Sequence, residues 1–348
     1  MSKIILICLF AIYSITAKAM KVTRNGSTQN VAKKVGFLAC LAGGGADGGW
    51  AGGWKVMLEG IKGGDVLIIR TDGKVGAYSK WIYEDPEKLG LPHVNSVTTL
   101  IIENAQDSNS RKAMELVSHA AMIFFAGGDQ SLYVDWIDNS AIQKIIQDRL
   151  RARNLVIGGT SAGMAYLAGI VFAAHYDSPR GSDLNVDSGD VMRDPTGIFV
   201  DMVKGQLGLP WLNHVITETH FTERERQGRV MGFMAKSFFS RMVSSPLDTR
   251  AIAADQGTAF CYGGNGIGQV YGEGTVYFLE GHGSIERVEP NNSLNWYDNE
   301  QGVLTYAIPA SAKGSFDLKS WRGHGGSYDL WWVDGRAEKT PLFGHKNH

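Results

Sequence analysis

Several things that would direct a chain of 348 residues elsewhere are missing or scarce here. Only 3 cysteines occur, with no Cys-x-x-Cys pair and no His-Glu-x-x-His run, so nothing asks for a metal or another cofactor. Surplus charge of one sign is also missing. Lys and Arg number 34 against 35 Asp and Glu, so no basic excess exists to neutralise phosphates, and nucleic acid is not an expected partner. Internal repeats and low-complexity tracts are absent. The apolar run at residues 4–15 is too short for a membrane span. Lys3 precedes it and Ala17-Lys18-Ala19 follows with small residues at cleavage positions, which is the pattern of an export leader over residues 1–19. A secreted or periplasmic protein, free of the membrane once the leader is removed, is the expectation. Losing Cys8 leaves Cys40 and Cys261, each in an apolar run. Both are expected to be buried free thiols, although export keeps a disulfide open.

What is present is an ordinary globular composition, 44% hydrophobic and 20% charged, with Gly clustered in loops where tight turns are needed. Residues 20–34 read as a polar lead-in. Apolar strand-like runs at 35–42, 66–71, 96–102, 121–126 and 155–157 are separated by helical patterns at 111–119 and 142–153. Short buried strands alternating with helices predict an α/β fold, a doubly wound and mostly parallel sheet. Past Ala259 the runs become Gly-punctuated hairpins. The expected organisation is an α/β domain over 35–280 and a β-rich C-terminal extension over 281–348.

The densest chemistry lies at Leu155-Val156-Ile157-Gly158-Gly159-Thr160-Ser161-Ala162-Gly163. Three apolar residues make a strand, helix formers follow Ser161, and between them stands Gly-x-Ser-x-Gly. A nucleophile on so sharp a turn is crowded, and glycines two residues either side let neighbouring backbone pass. The turn lifts the Ser161 hydroxyl out of the sheet and aims the Ala162 N–H at a developing oxyanion. A second apolar strand ends in Gly127-Gly128-Asp129-Gln130 at the same rim. Gly128 is a candidate second oxyanion donor, and Gln130 a candidate substrate contact. For the base, His220 stands apart from the other histidines, where the run Val215-Ile216-Thr217-Glu218-Thr219 gives way to a charged helical pattern.

Gly-Gly-Asp-Gln after an apolar strand, Gly-Gly-Thr-Ser-Ala-Gly, and His-Phe followed by spaced arginines together resemble the cyanophycinase and dipeptidase E family of serine peptidases. The resemblance runs in consistent order over residues 35–279. It implies a class I glutamine amidotransferase-like (flavodoxin-like) sheet and hydrolysis of peptide bonds next to aspartate. Ser161 would be the nucleophile, His220 the base, and Gly128 with Ala162 the oxyanion hole. It also implies that Gln130, Arg224, Arg226 and Arg229 shape a site for an aspartate-derived substrate, arginine forks holding carboxylates bidentately. On one continuous helix Arg226 and Arg229 share a face and Arg224 points away, so at most two should reach the substrate. Glu225 with Arg229, and Glu223 with Arg226, are also spaced to pair on a solvated face.

The third triad position departs from the family. Where Asp-Glu is usual, the chain reads Asp255-Gln256. Gln256 can hold an imidazole but cannot stabilise its charge, a loss comparable to the change costing about 10⁴-fold in a serine protease triad. Asp255 is the expected substitute, with Asp177 a rival. Two other readings compete. One is an esterase of α/β-hydrolase type with His324 as base, and the other a binding protein that has lost catalysis at the same site. The expected partners are a peptide or small acidic dipeptide and, at most, a second copy in a homodimer. Gly43 to Gly49 reads as a rim loop, since it lacks the ending of a phosphate loop.

Overall fold

The computed structural model describes residues 20–74, 76–177, 186–336 and 342–347. The expected export leader lies outside them. The strands are β1 (Val22–Gly26), β2 (Leu38–Ala42), β3 (Asp65–Arg70), β4 (Ser96–Ile101), β5 (Met122–Phe125), β6 (Val156–Thr160), β7 (Ile170–Phe172), β8 (Met202–Lys204) and β9 (Val215–Glu218). They continue with β10 (Arg250–Ala254), β11 (Thr258–Gly263), β12 (Ile267–Gly272), β13 (Thr275–Gly281), β14 (Val303–Pro309), β15 (Ser315–Asp317), β16 (Arg322–His324), β17 (Ser327–Asp334) and β18 (Leu342–Asn347). The helices are α1 (Ala51–Gly60), α2 (Ala77–Ser79), α3 (Ala105–Ser108), α4 (Arg111–His119), α5 (Gln130–Ile137), α6 (Ala141–Arg151), α7 (Ala162–Tyr166), α8 (Ser188–Arg193) and α9 (Gln227–Phe239).

The fold is α/β, with two mixed sheets among the described residues. The first runs β1-β4-β3-β5-β6-β2-β11-β12-β15-β16, the second β18-β17-β14-β13-β10-β9-β7-β8. In the first, β4, β3, β5, β6 and β2 are mutually parallel. Their residues are almost all buried on both faces, as expected where crossover helices cover a parallel sheet. Ile142, Ile146 and Leu150 of α6 show how: spaced by four residues, all three point into the core. Each contributes about 1.5–3 kcal/mol by leaving water.

The parallel part is narrower than the sequence suggested. β11 joins β2 antiparallel, and the hairpins that follow extend the same sheet. In the second sheet only β7, β9 and β10 run parallel. Strands beyond residue 302 add to both sheets, and the aromatic residues Trp321 and Trp331 are buried there. The expected lead-in at 20–34 contains β1, an edge strand on β4. Arg24 and the Val31 N–H fasten this segment to buried Asp65.

Cys40 and Cys261 form a disulfide with Cα atoms 4.1 Å apart, which corrects the expectation of free thiols. The antiparallel register of β2 and β11 sets the two residues directly opposite. Their separation of 221 positions hides that neighbourhood from a sequence reading.

Candidate active site

Ser161 sits between β6 and α7 with φ 52 and ψ -119, a conformation L residues rarely adopt. Its N–H donates to the Ala42 carbonyl (3.0 Å) and its carbonyl accepts from Ala165 N–H (3.0 Å), so both sides of the elbow are fixed. The flanking glycines are there for space. A methyl on Gly159 would stand 2.5 Å from the Gly163 carbonyl, and one on Gly163 would stand 2.0 Å from the Phe125 carbonyl oxygen. β5 is parallel and adjacent to β6, so the Gly127-Gly128 turn comes against Ser161. Gly128 (φ 149) and Ala162 both line the cavity in front of the hydroxyl. Ala162 is the first residue of α7, so no intrahelical acceptor exists for its N–H.

His220 arrives from the second sheet, two residues beyond β9. Its Nε2 is 2.7 Å from Ser161 Oγ. The candidate site therefore lies at the seam of the two sheets, not along the rim of one. His220 N–H donates to the Gly43 carbonyl (2.7 Å), and the ring packs against Gly44 (φ 102). A methyl on Gly44 would meet ring atoms Cε1 and Nε2 at 2.4 and 2.5 Å. The glycine loop that read as a rim is the slot that holds the imidazole. Gly44→Ala is expected to move the ring and lower kcat/KM roughly hundredfold, since small misplacements of a reacting group are that costly. Gly48→Ala, with nothing near its added methyl, should leave kcat/KM unchanged in the same assay.

The structure places none of the three third-triad candidates against His220. Its Nδ1 is buried and without a hydrogen-bond partner among the described residues. Asp255 is buried and occupied elsewhere: Thr222 N–H and Oγ1 donate to one carboxylate oxygen (3.1 and 2.7 Å) and Thr275 N–H to the other (3.0 Å). It clamps the turn after His220 to the β10–β13 pair. Gln256 turns toward Gly45, and its N–H donates to Glu223. Asp177 is exposed and does not line the cavity. His324, the base of the esterase reading, lies exposed on β16, away from Ser161.

The cavity, about 290 Å³, is walled by Gly128, Gln130 and Ser161 on one side and by Glu218, His220 and the three arginines on the other. The arginines do not share one helix. Glu225 adopts φ 50 and ends a short turn over Thr222–Arg224, and α9 begins only at Gln227. The expected pairs Glu225–Arg229 and Glu223–Arg226 are replaced by a buried cluster around Glu218. Arg229 Nε donates to Glu218 Oε2 (2.8 Å) and its Nη2 to Oε1 (2.5 Å), while Arg226 Nη1 donates to Oε1 (3.2 Å). Arg229 also donates to the Val186 carbonyl and lies against the stacked rings of Phe172 and Phe233. Arg224 is the reverse: exposed, on the cavity wall, and without a side-chain partner among the described residues. Burial works to raise the Glu218 carboxyl, but Arg229 and Arg226 outweigh it and hold the group below its ordinary value.

Burial, then the cations of Arg224 and Arg226, push the His220 imidazole down from 6.5 to about 4. It is therefore a neutral acceptor across mildly acidic and neutral pH. In a peptidase assay kcat/KM is expected to hold down to about pH 4 and to fall below it, since this profile reports the free enzyme. Stability runs the same way. Between pH 6.5 and about 4 the unfolded chain takes up a proton that the native ring refuses, so His220 lowers stability as pH falls through that window.

No protein-family model matches the chain. A curated cyanophycinase from Trichormus variabilis (strain ATCC 29413 / PCC 7937) is 28% identical over 224 residues, covering 63% of this chain and 65% of that protein. The cyanophycinase of Synechococcus elongatus is 23% identical over 216 residues, 61% of this chain and 59% of that protein. The chain is similar in sequence to these cyanophycinases. It spans less than two thirds of the length of these cyanophycinases. Among solved structures, a peptidase from an acI-B1 Actinobacterium superposes with a TM-score of 0.49 at 18% identity, covering 71% of this chain and 91% of that one.

The residue that motif reading passed over is Glu218. The signal was an acidic residue closing the apolar run Val215-Ile216-Thr217, two positions before the histidine. A carboxylate so placed is buried and must find cations. Among the described residues, no group of three or more His, Cys, Asp or Glu is placed to hold a metal ion, and no helix is long and apolar enough to cross a membrane.

Proposed function

We propose that the chain is a serine-type peptidase that hydrolyses a peptide bond next to aspartate, of β-aspartyl-arginine or Asp-X type. One observation carries this reading: a serine on a strained strand-to-helix elbow, 2.7 Å from an imidazole nitrogen, opens onto a cavity bearing an unpaired arginine. Ser161 Oγ attacks the scissile carbonyl carbon while His220 Nε2 takes the hydroxyl proton. The N–H groups of Gly128 and Ala162 stabilise the oxyanion. His220 returns the proton to the leaving amine as the C–N bond breaks. Water, deprotonated by the same ring, then releases the acid from Ser161. Arg224 receives the substrate carboxylate, with Gln130 lining the same cavity. Arg226 and Arg229 act through Glu218 to shape the wall.

The same reading takes residues 1–19 as an export leader, so that the enzyme works outside the cytoplasm. It takes 35–280 as a peptidase unit of class I glutamine amidotransferase-like topology, carrying 281–348 as a β-rich extension, and it allows a homodimer. A second reading, a binding protein without turnover, is favoured by the unpartnered Nδ1 of His220. Labelling with a fluorophosphonate probe separates the two: covalent modification at Ser161 supports the peptidase, and an unreactive serine refutes it. Mass spectrometry of β-aspartyl-arginine polymer and Asp-X dipeptides after incubation then identifies the bond cleaved.

A further inference from the structure

The site holds an electrostatic mismatch. During attack on the carbonyl, His220 must become an imidazolium. In a complete triad a carboxylate faces the far ring nitrogen and stabilises that charge. Here Nδ1 faces no acceptor among the described residues. The carboxylates near the ring are committed: Glu218 to Arg229 and Arg226, Asp255 to Thr222 and Thr275, and Asp129 to capping α5 through Ser131. Glu218 favours the protonated ring but is opposed by Arg226 and Arg229, and Arg224 adds a further positive charge that no carboxylate among the described residues pairs with. The Arg224 N–H donates to the His220 carbonyl (3.2 Å), so the two residues are one turn apart on the same wall.

Resting on the peptidase reading above, we propose that the carboxylate of an acidic substrate, seated on Arg224, supplies the negative charge that the imidazolium of His220 lacks from the protein. Specificity then resides in turnover as well as in binding. An acidic substrate neutralises the Arg224 cation and makes the ring a stronger base. A neutral isostere leaves the cation in place and the ring weak. The direction agrees with the depressed basicity of His220, to which Arg224 contributes after burial. Arg224 is on this account a specificity-determining residue that acts on the chemical step through charge.

Two readouts test it. The first is kinetic: for an Asp-containing peptide, the acid limb of kcat, which reports the bound complex, should lie about one pH unit above that of kcat/KM. Its Asn counterpart should lose about tenfold in kcat as well as weakening in KM. Arg224→Gln should raise the acid limb of kcat/KM and abolish the separation. The second needs no turnover. The His220 ring proton is titrated by NMR with saturating N-acetylaspartate, with N-acetylasparagine, and alone. The midpoint should move up with the aspartate compound only, and in Arg224→Gln should start higher and stay put. Identical midpoints in all three titrations, or no binding of N-acetylaspartate, would overturn the proposal. A midpoint that moves while Ser161 resists the fluorophosphonate would uphold the charge coupling and refute the peptidase reading instead.

Discussion

Replacing Ser161 with Gly should lower kcat/KM by about 10⁶-fold, the scale on which a lost serine nucleophile is felt, and at the same time stabilise the fold. The second half follows from the backbone. At φ 52 and ψ -119 the Ser161 Cβ is held in strain by hydrogen bonds on both sides, which costs about 1–3 kcal/mol. Glycine releases that strain and gives back part of the gain, about 0.5–1 kcal/mol, through the greater freedom of its unfolded chain. A net increase of about 1 kcal/mol is expected. Ser161→Ala should be equally inactive but no more stable, because it keeps the Cβ. Thermal melts of the two variants beside the parent decide the matter. Equal melting temperatures for Gly and Ala would mean that the elbow stores no strain.

The largest loss of stability is expected at Glu218. Gln has nearly the same shape but no charge. Arg226 and Arg229, 5% and 3% exposed, would be left with buried cations and a weakened partner. Breaking a buried pair from one side costs about 3–5 kcal/mol, mostly the price of the stranded charge. The Arg229 contacts with Phe172, Phe233 and the Val186 carbonyl remain and soften the effect without removing it. Replacing Glu218 with Leu and Arg229 with Met should recover only part of the loss, since an apolar pair can replace that ion pair but Arg226 stays buried without the carboxylate. Urea unfolding of the single and double variants reads both numbers. A single variant within about 1 kcal/mol of the parent would show that the cluster is better solvated than its burial implies.

Both predictions turn on geometry that was legible in the chain to different degrees. The elbow was readable because its determinants are local: strand, two glycines and helix formers lie within eleven residues, and the spacing encodes the crowding. His220 was readable as a junction residue for the same reason. Arg226 and Arg229 do share a side and Arg224 stands apart, but not on the one continuous helix expected, and the surface Glu–Arg pairs do not form. One left-handed residue, Glu225, breaks the helix, leaving Arg224 exposed on the cavity wall while Arg226 and Arg229 are buried. Long-range contacts left no local mark. Gly44 meets His220 only because Gly43 lies beside the β10–β11 turn, and the Cys40–Cys261 bridge depends on the same antiparallel join. Asp255 looked like a triad carboxylate by position, but its oxygens are consumed in holding one turn to another.

The placement of β2 bears on how the protein is made. This strand emerges early from the ribosome, yet both of its neighbours are encoded late, β6 ending at Thr160 and β11 at Gly263. Until residue 263 has been released, one edge of a strand as apolar as Leu38–Ala42 has no backbone to pair with and every opportunity to pair with another nascent chain. Fragments that stop short of β11 leave that edge of β2 open and cannot form the Cys40–Cys261 bridge.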